Sequence, residues 1–96
     1  MLESKFQSSL ISEIKLMFPG CVVLKNDPNY IQGFPDLLVL CGSKWAALEC
    51  KRSEKEHRQP NQEHYIQALG RMSFASFVYP ENKDYILYEL QQTFKP

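Results

Sequence analysis

Long apolar runs and flexible linkers are both missing from this chain of 96 residues. No segment approaches the roughly 18–20 consecutive apolar residues that a membrane-spanning helix needs, so no association with a membrane is expected. The first residues, Met1 to Phe6, have neither the basic start nor the apolar core of a signal peptide, and we expect a cytoplasmic protein. Because a domain typically contains roughly 100–150 residues, the length predicts one domain covering residues 1–96.

Cysteine is scarce, and the charges of the chain balance. Cys21, Cys41 and Cys50 include no Cys-x-x-Cys pair, so a zinc site built on cysteine is not expected and buried free thiols are predicted. Eleven basic and eleven acidic residues argue against a strongly basic protein that coats nucleic acid nonspecifically, although a local cluster of charge can still bind it. A glycine-rich phosphate loop is also absent, so hydrolysis of nucleoside triphosphates has no support.

The spacing of apolar residues predicts an α/β domain. A first helix is indicated over residues 2–18 by a stripe formed by Leu2, Phe6, Leu10, Ile14 and Met17. Strands are predicted over residues 21–25, 35–40, 45–51 and 73–79. A second helix is predicted over residues 60–72 from the apolar residues Tyr65, Ala68, Leu69 and Met72. A C-terminal helix is predicted from Tyr85, Ile86, Tyr88, Leu90 and Phe94. Because the second and third strands read as a hairpin and a helix crosses over to the fourth, the expected sheet is mixed and flanked by helices.

Three charged residues lie at the ends of the two predicted hairpin strands. Side chains alternate along a strand, so Glu49 and Lys51 share one face, and the hairpin brings Asp36 beside them. One interpretation is a salt-bridge cluster that ends both strands and keeps the sheet edge soluble. The other is a site for a divalent cation, because two neighbouring carboxylates repel each other and Mg²⁺ prefers oxygen ligands. The three residues alone are compatible with both.

A longer pattern resembles a known nuclease superfamily. Gly33-x-Pro35-Asp36, twelve further residues and then Glu49-x-Lys51 resemble the active-site motif of the PD-(D/E)XK nucleases. The Glu3-x-x-Phe6-Gln7 start, Gln62 on the following helix and the strand Ala75 to Tyr79 are similar to the VRR-NUC branch, in particular to its stand-alone phage and bacterial members. The resemblance implies a restriction-endonuclease-like core with the order α-β-β-β-α-β, and the cytoplasm of a bacterium or a phage-infected cell.

The resemblance also implies roles for individual residues. Asp36, Glu49 and Lys51 would be catalytic, with Lys51 positioning the attacking water. Mg²⁺ or Mn²⁺ would be held by Asp36, Glu49, the backbone carbonyl of Cys50, and Glu3. Glu13 is a rival carboxylate on the same helix, and Glu3 is preferred because it shares a face with Gln7 four residues later. Contacts with the metal ligands or with DNA are expected from Gln7, Gln62, Arg52, Lys55 and Arg58.

The function implied is that of a metal-dependent DNA endonuclease. Selective cleavage of branched or junction DNA in replication, recombination or repair is expected, with general nicking of double-stranded DNA as the rival, and a homodimer would suit so short a chain. A domain that only binds nucleic acid, with its charges forming a salt-bridge network, is the alternative, and a structural adaptor in a phage particle is a third. Tyr30 and Trp45 are candidates for stacking on bases, but packing within the protein is favoured for both.

Overall fold

The computed structural model describes residues 2–96 and confirms the predicted α/β fold class and order of elements. No helix in this described range combines the length and apolar character required to cross a bilayer. The elements are α1 (Glu3–Met17), β1 (Val22–Lys25), β2 (Leu37–Cys41), β3 (Lys44–Cys50), α2 (Pro60–Gly70), β4 (Phe74–Val78) and α3 (Lys83–Thr93).

The four strands form one mixed sheet in the order β1-β2-β3-β4. Strands β1, β2 and β3 are antiparallel neighbours, whereas β4 returns through α2 to lie parallel to β3. The hairpin between β2 and β3 turns through two residues, and Gly42 takes a φ of 65° that a side chain would disfavour. Leu37 pairs with Leu48, so the start of β2 lies beside the end of β3.

One face of the sheet carries the core, which α1 and α3 cover. The first helix contributes Phe6, Leu10 and Ile14, but Leu2 precedes that helix and is 71% exposed. In α3, the prediction is wrong for Tyr85 and Tyr88, which are exposed. They lie roughly 150° around the helix from the buried residues, which are Ile86, Leu87 and Leu90. The core consists of Phe6, Leu10, Ile14, Leu37, Val39, Ala46, Leu48, Cys50, Val78, Ile86, Leu87 and Leu90.

The opposite face of the sheet is only partly covered, and we call its open part the apolar sheet face. Helix α2 packs against β3 and β4 on this side and contains no fully buried residue. The predicted stripe on this helix is wrong at Met72, which lies beyond the helix end and is 72% exposed. Strands β1 and β2 extend past α2, so apolar side chains remain in contact with solvent. The apolar sheet face consists of Val22, Leu24, Leu38, Leu40, Trp45 and Met72.

Two of the three cysteines form a disulfide, so the prediction of free thiols is wrong for Cys21 and Cys41. Val22 pairs with Leu40 in the antiparallel register, which places the two cysteines opposite each other with their Cα atoms 4.5 Å apart. That separation is in the range of disulfides. The prediction is confirmed for Cys50, which is free and fully buried.

Candidate active site

Three carboxylates from three elements meet at one end of the sheet. Asp36 lies immediately before β2, Glu49 is the penultimate residue of β3, and Glu3 is the first residue of α1. One oxygen of each carboxylate lies within 4.8 Å of the other two. The rival carboxylate, Glu13, is bound instead to the ammonium group of Lys83 at 2.9 Å. The donor set of hard oxygens therefore includes Glu3, and it fits a divalent cation such as Mg²⁺ or Mn²⁺.

Asp36 is held in place from both of its neighbouring strands. The backbone N–H of Cys50 donates to its Oδ2 at 2.8 Å, which joins the aspartate to the end of β3. On the other side, the backbone N–H of Asn26 donates to the carbonyl of Asp36 at 2.8 Å, and the Asn26 side chain donates to the carbonyl of Pro35 at 2.7 Å. Its orientation is therefore fixed without any ligand.

Lys51 is a buried cation beside these carboxylates, with 4% of its surface exposed. Its backbone N–H donates to the carbonyl of Val78 at 2.8 Å, which extends the parallel pairing of β3 and β4 by one residue. Its Nζ donates to the carbonyl of His57 at 3.1 Å and to Oε1 of Gln62 at 2.9 Å. The ammonium group is therefore fixed by the loop after β3 and by the first turn of α2.

Gln62 joins the cation to the carboxylates. Its Oε1 accepts hydrogen bonds from Lys51 and from the backbone N–H of Gln59, while its Nε2 donates to Oε2 of Glu49 at 3.2 Å. The bond from Gln59 is part of a capping box that begins α2. The start of this helix and the position of the lysine are thus determined by the same side chain.

Burial raises the pKa values of the three carboxyl groups, and repulsion by neighbouring carboxylates adds to its effect. For Glu49, burial is the largest cause and the neighbouring Asp36 the next, and together they raise its pKa to about 8. Burial also raises the pKa of Asp36, against the opposing effect of the N–H of Cys50, and it raises the pKa of Glu3 with a contribution from Glu56. Without a cation, the cluster therefore retains a proton near neutral pH, and a bound divalent cation would favour its release.

These groups open into a cavity of about 550 Å³. Of the predicted contact residues, Arg52 and Lys55 line it, whereas Arg58 places its guanidinium group 4.2 Å from the centre of the Phe77 ring. Gln7 does not line the cavity, and its side chain lies close to the buried thiol of Cys50. The lining residues are Glu3, Asp36, Glu49, Lys51, Arg52, Lys55, Glu56, His57, Gln59 and Gln62.

Glu56 is a component of the site that was not predicted from the sequence. Its Oε1 accepts from the backbone N–H of Arg52 at 2.7 Å, and its Oε2 lies 3.8 Å from the Nζ of Lys51. In the sequence it belongs to a run of acidic and basic residues over positions 51–58, and such a run usually marks a solvated loop. The spacing of four residues from Arg52 is the only local signal of the contact that it makes.

Comparisons with known proteins identify the fold. Neither a protein-family model nor a curated protein matches the sequence. Among solved structures, a chain described as a "VRR_NUC domain protein" is similar with a TM-score of 0.70 and 15% sequence identity, over 97% of this chain and 88% of the other. The chain has a VRR_NUC fold. At this level of identity the likeness concerns the fold.

Proposed function

We propose that this protein is a nuclease that depends on Mg²⁺ or Mn²⁺ and hydrolyses phosphodiester bonds within DNA. The observation that carries the proposal is the convergence of Glu3, Asp36 and Glu49 within 4.8 Å, beside the buried ammonium group of Lys51. The VRR_NUC fold supports the same class of activity. The ammonium group of Lys51, beside carboxylate oxygens that can hold a metal ion in a cavity, forms a site suited to a phosphate group.

The three carboxylates would hold the metal, assisted by the backbone carbonyl of Cys50. A divalent cation bound there would polarise a phosphoryl oxygen and lower the pKa of a bound water. The chain itself contributes orientation, because Asp36 is fixed by the N–H of Cys50 and Glu49 is fixed by the amide of Gln62. Neither side chain needs to reorganise to present its oxygen atoms to the cavity.

Lys51 would orient the attacking water and balance the charge that grows on the phosphate. Two of its three N–H donors are used by His57 and Gln62, which leaves one for a group in the cavity. Arg52 and Lys55 line the same cavity and would contact the DNA backbone on either side of the scissile phosphate. Their contribution would weaken as the salt concentration rises.

Branched or junction DNA, as found in replication, recombination and repair, is the proposed substrate, and a homodimer is the proposed assembly. The apolar sheet face supports dimerisation because Val22, Leu24 and Leu40 expose 50%, 44% and 37% of their surfaces. Contiguous apolar surface of this kind marks interaction sites. Two candidate active sites in one dimer would allow paired cuts in a branched molecule.

A cleavage panel tests the proposed activity. Linear, nicked, flapped and four-way DNA are incubated with Mg²⁺ or Mn²⁺ and with the wild type, Asp36→Asn, Lys51→Ala or Lys15→Ala. Lys15 is an exposed lysine in the last turn of α1 and provides the control. We expect cleavage by the wild type and the control, and losses of at least about 100-fold in the other two variants. If neither metal produces cleavage that depends on Asp36 and Lys51, the cluster is a structural salt-bridge network and the proposal is wrong.

A further inference from the structure

A second groove leads away from the candidate active site across the start of α2. It has a volume of about 460 Å³, and two of its lining residues, Gln59 and Gln62, also line the active-site cavity. The two depressions are therefore neighbours that meet at Gln59 and Gln62. We call it the amide groove, and its lining residues are Pro28, Gln32, Gly33, Gln59, Asn61 and Gln62.

The amide groove differs chemically from the cavity that it joins. It contains four side-chain amides and no charged residue, whereas the active-site cavity is lined by His57 and by seven Asp, Glu, Lys or Arg side chains. Within residues 2–96, the side-chain amide of Gln32 forms no hydrogen bond, and Asn61 uses only its Nδ2 atom. Amides that offer both a donor and an acceptor match the edges of nucleobases, while phosphate groups favour cations. The groove is therefore suited to bases and the cavity to the backbone.

The outer wall of the amide groove is the ordered loop between β1 and β2. Asn61 donates from its Nδ2 to the carbonyl of Gln32 at 3.2 Å, which ties the loop to α2. Gly33 has a φ of 87°, and a Cβ atom there would lie 2.6 Å from Cγ of Asn61. Farther along the loop, the backbone N–H of Asn29 donates to Oδ1 of Asp27 at 2.9 Å. The groove is thus formed before any ligand binds.

An exposed aromatic ring lies on the same loop. Tyr30 is 85% exposed, and it borders a hollow of about 350 Å³ that is also lined by Asn26, Asp27, Ile31 and Phe34. Phe34 packs edge-on against Tyr65 of α2, with ring centres 5.4 Å apart, which fixes the floor of the hollow. Base stacking on an aromatic side chain is worth about 1–3 kcal/mol per base. Tyr30 lies on the same loop as Pro28, Gln32 and Gly33, which line the amide groove, and it can provide such a stacking surface beside it.

We propose that the amide groove and Tyr30 bind unpaired bases of the strand whose phosphate enters the candidate active site. Bases in a duplex are stacked on each other and paired through their Watson–Crick edges, so only an unpaired segment can present both a ring face to Tyr30 and an edge to the amides. The substrate then carries a single-stranded segment, such as a flap or a gap, beside the scissile bond. This inference rests on the proposed function for the location of the phosphate.

Binding without metal tests this inference separately from cleavage. Fluorescence anisotropy in EDTA measures the affinity of the wild type for a labelled single-stranded oligonucleotide and for a blunt duplex of the same sequence. We expect tighter binding to the single strand. The affinity for the single strand should fall about tenfold in Tyr30→Ala, remain near the wild-type value in Tyr30→Phe, and fall in Gln32→Ala. Tyr88→Ala is the matched control, since Tyr88 is an exposed tyrosine on α3, which packs on the other face of the sheet.

Tyr30 and Gln32 are both exposed, so circular dichroism should show the variants folded as the wild type is. Equal affinity for the single strand and the duplex, absence of DNA binding, or equal affinities of Tyr30→Ala and Tyr88→Ala would each overturn the inference. Because no metal is present, any of these results can occur while the cleavage panel succeeds. Conversely, single-strand binding that depends on Tyr30 can persist if no cleavage is found.

Discussion

Glu49 provides a direct test of the electrostatics of the candidate site. Its side chain is 4% exposed, and burial beside Asp36 raises its pKa to about 8 from an ordinary value of 4.5. Between these two pH values the folded protein retains a proton that the unfolded chain has lost. Without metal, the stability associated with this proton is therefore complete below about pH 4.5 and is lost as the pH rises through about 8.

The size of the effect follows from the two pKa values. At about 1.4 kcal/mol per pKa unit, the free energy of unfolding should fall by about 4 kcal/mol between about pH 5 and about pH 9. A domain of this length is expected to have a total stability of only about 5–14 kcal/mol. The loss through one carboxyl group is therefore large enough to measure.

Urea denaturation followed by the fluorescence of Trp45 measures this loss, with EDTA present and the disulfide intact. The wild type, Glu49→Gln and Glu54→Gln are compared across the pH range. Glu54 is an exposed glutamate in the loop after β3 and is the control. We expect the decline in the wild type and in Glu54→Gln, and a much smaller decline in Glu49→Gln. Equal pH dependence in the wild type and Glu49→Gln would show that burial and repulsion do not raise the pKa of Glu49 in the folded protein.

Further predictions concern the loop, the disulfide and the apolar sheet face. Gly33→Ala should lose at least about 1 kcal/mol more stability than Gly20→Ala in urea denaturation, because both glycines have positive φ but only Gly33 is in tight contact with α2; equal losses would contradict this contact. Reducing the Cys21–Cys41 disulfide, or replacing both residues with serine, should lower the stability by about 3 kcal/mol for a loop of this length, and no change would contradict a stabilising cross-link. Leu40→Glu should convert the proposed dimer to a monomer in light scattering while the far-ultraviolet circular dichroism is unchanged; a wild type that is already monomeric would exclude the dimer.

Much of the fold could be predicted from local signals in the sequence. Phe6, Leu10 and Ile14 mark the buried face of α1, and the apolar run that ends at Glu49 and Lys51 marks β3. A hairpin is a local structure, so the position of Asp36 beside the end of β3 followed from chain geometry alone. The preference for Glu3 over Glu13 rested on the resemblance and on helical spacing, and the structure places Glu3 with the other two carboxylates.

The remaining features depended on contacts between residues that are distant in the sequence. The disulfide required the register of β1 against β2, since the two cysteines are 20 residues apart. The sequence contains no signal that a carboxylate in a polar loop, Glu56, approaches the ammonium group of Lys51. Local patterns in the sequence therefore predicted most of the buried apolar side chains, the hairpin of β2 and β3, and the charged residues at the ends of its strands. Only tertiary packing decided which charged residues share a cavity. It also decided that an amide groove forms where the loop between β1 and β2 meets the start of α2. Both features require long-range contacts, which no local pattern encodes.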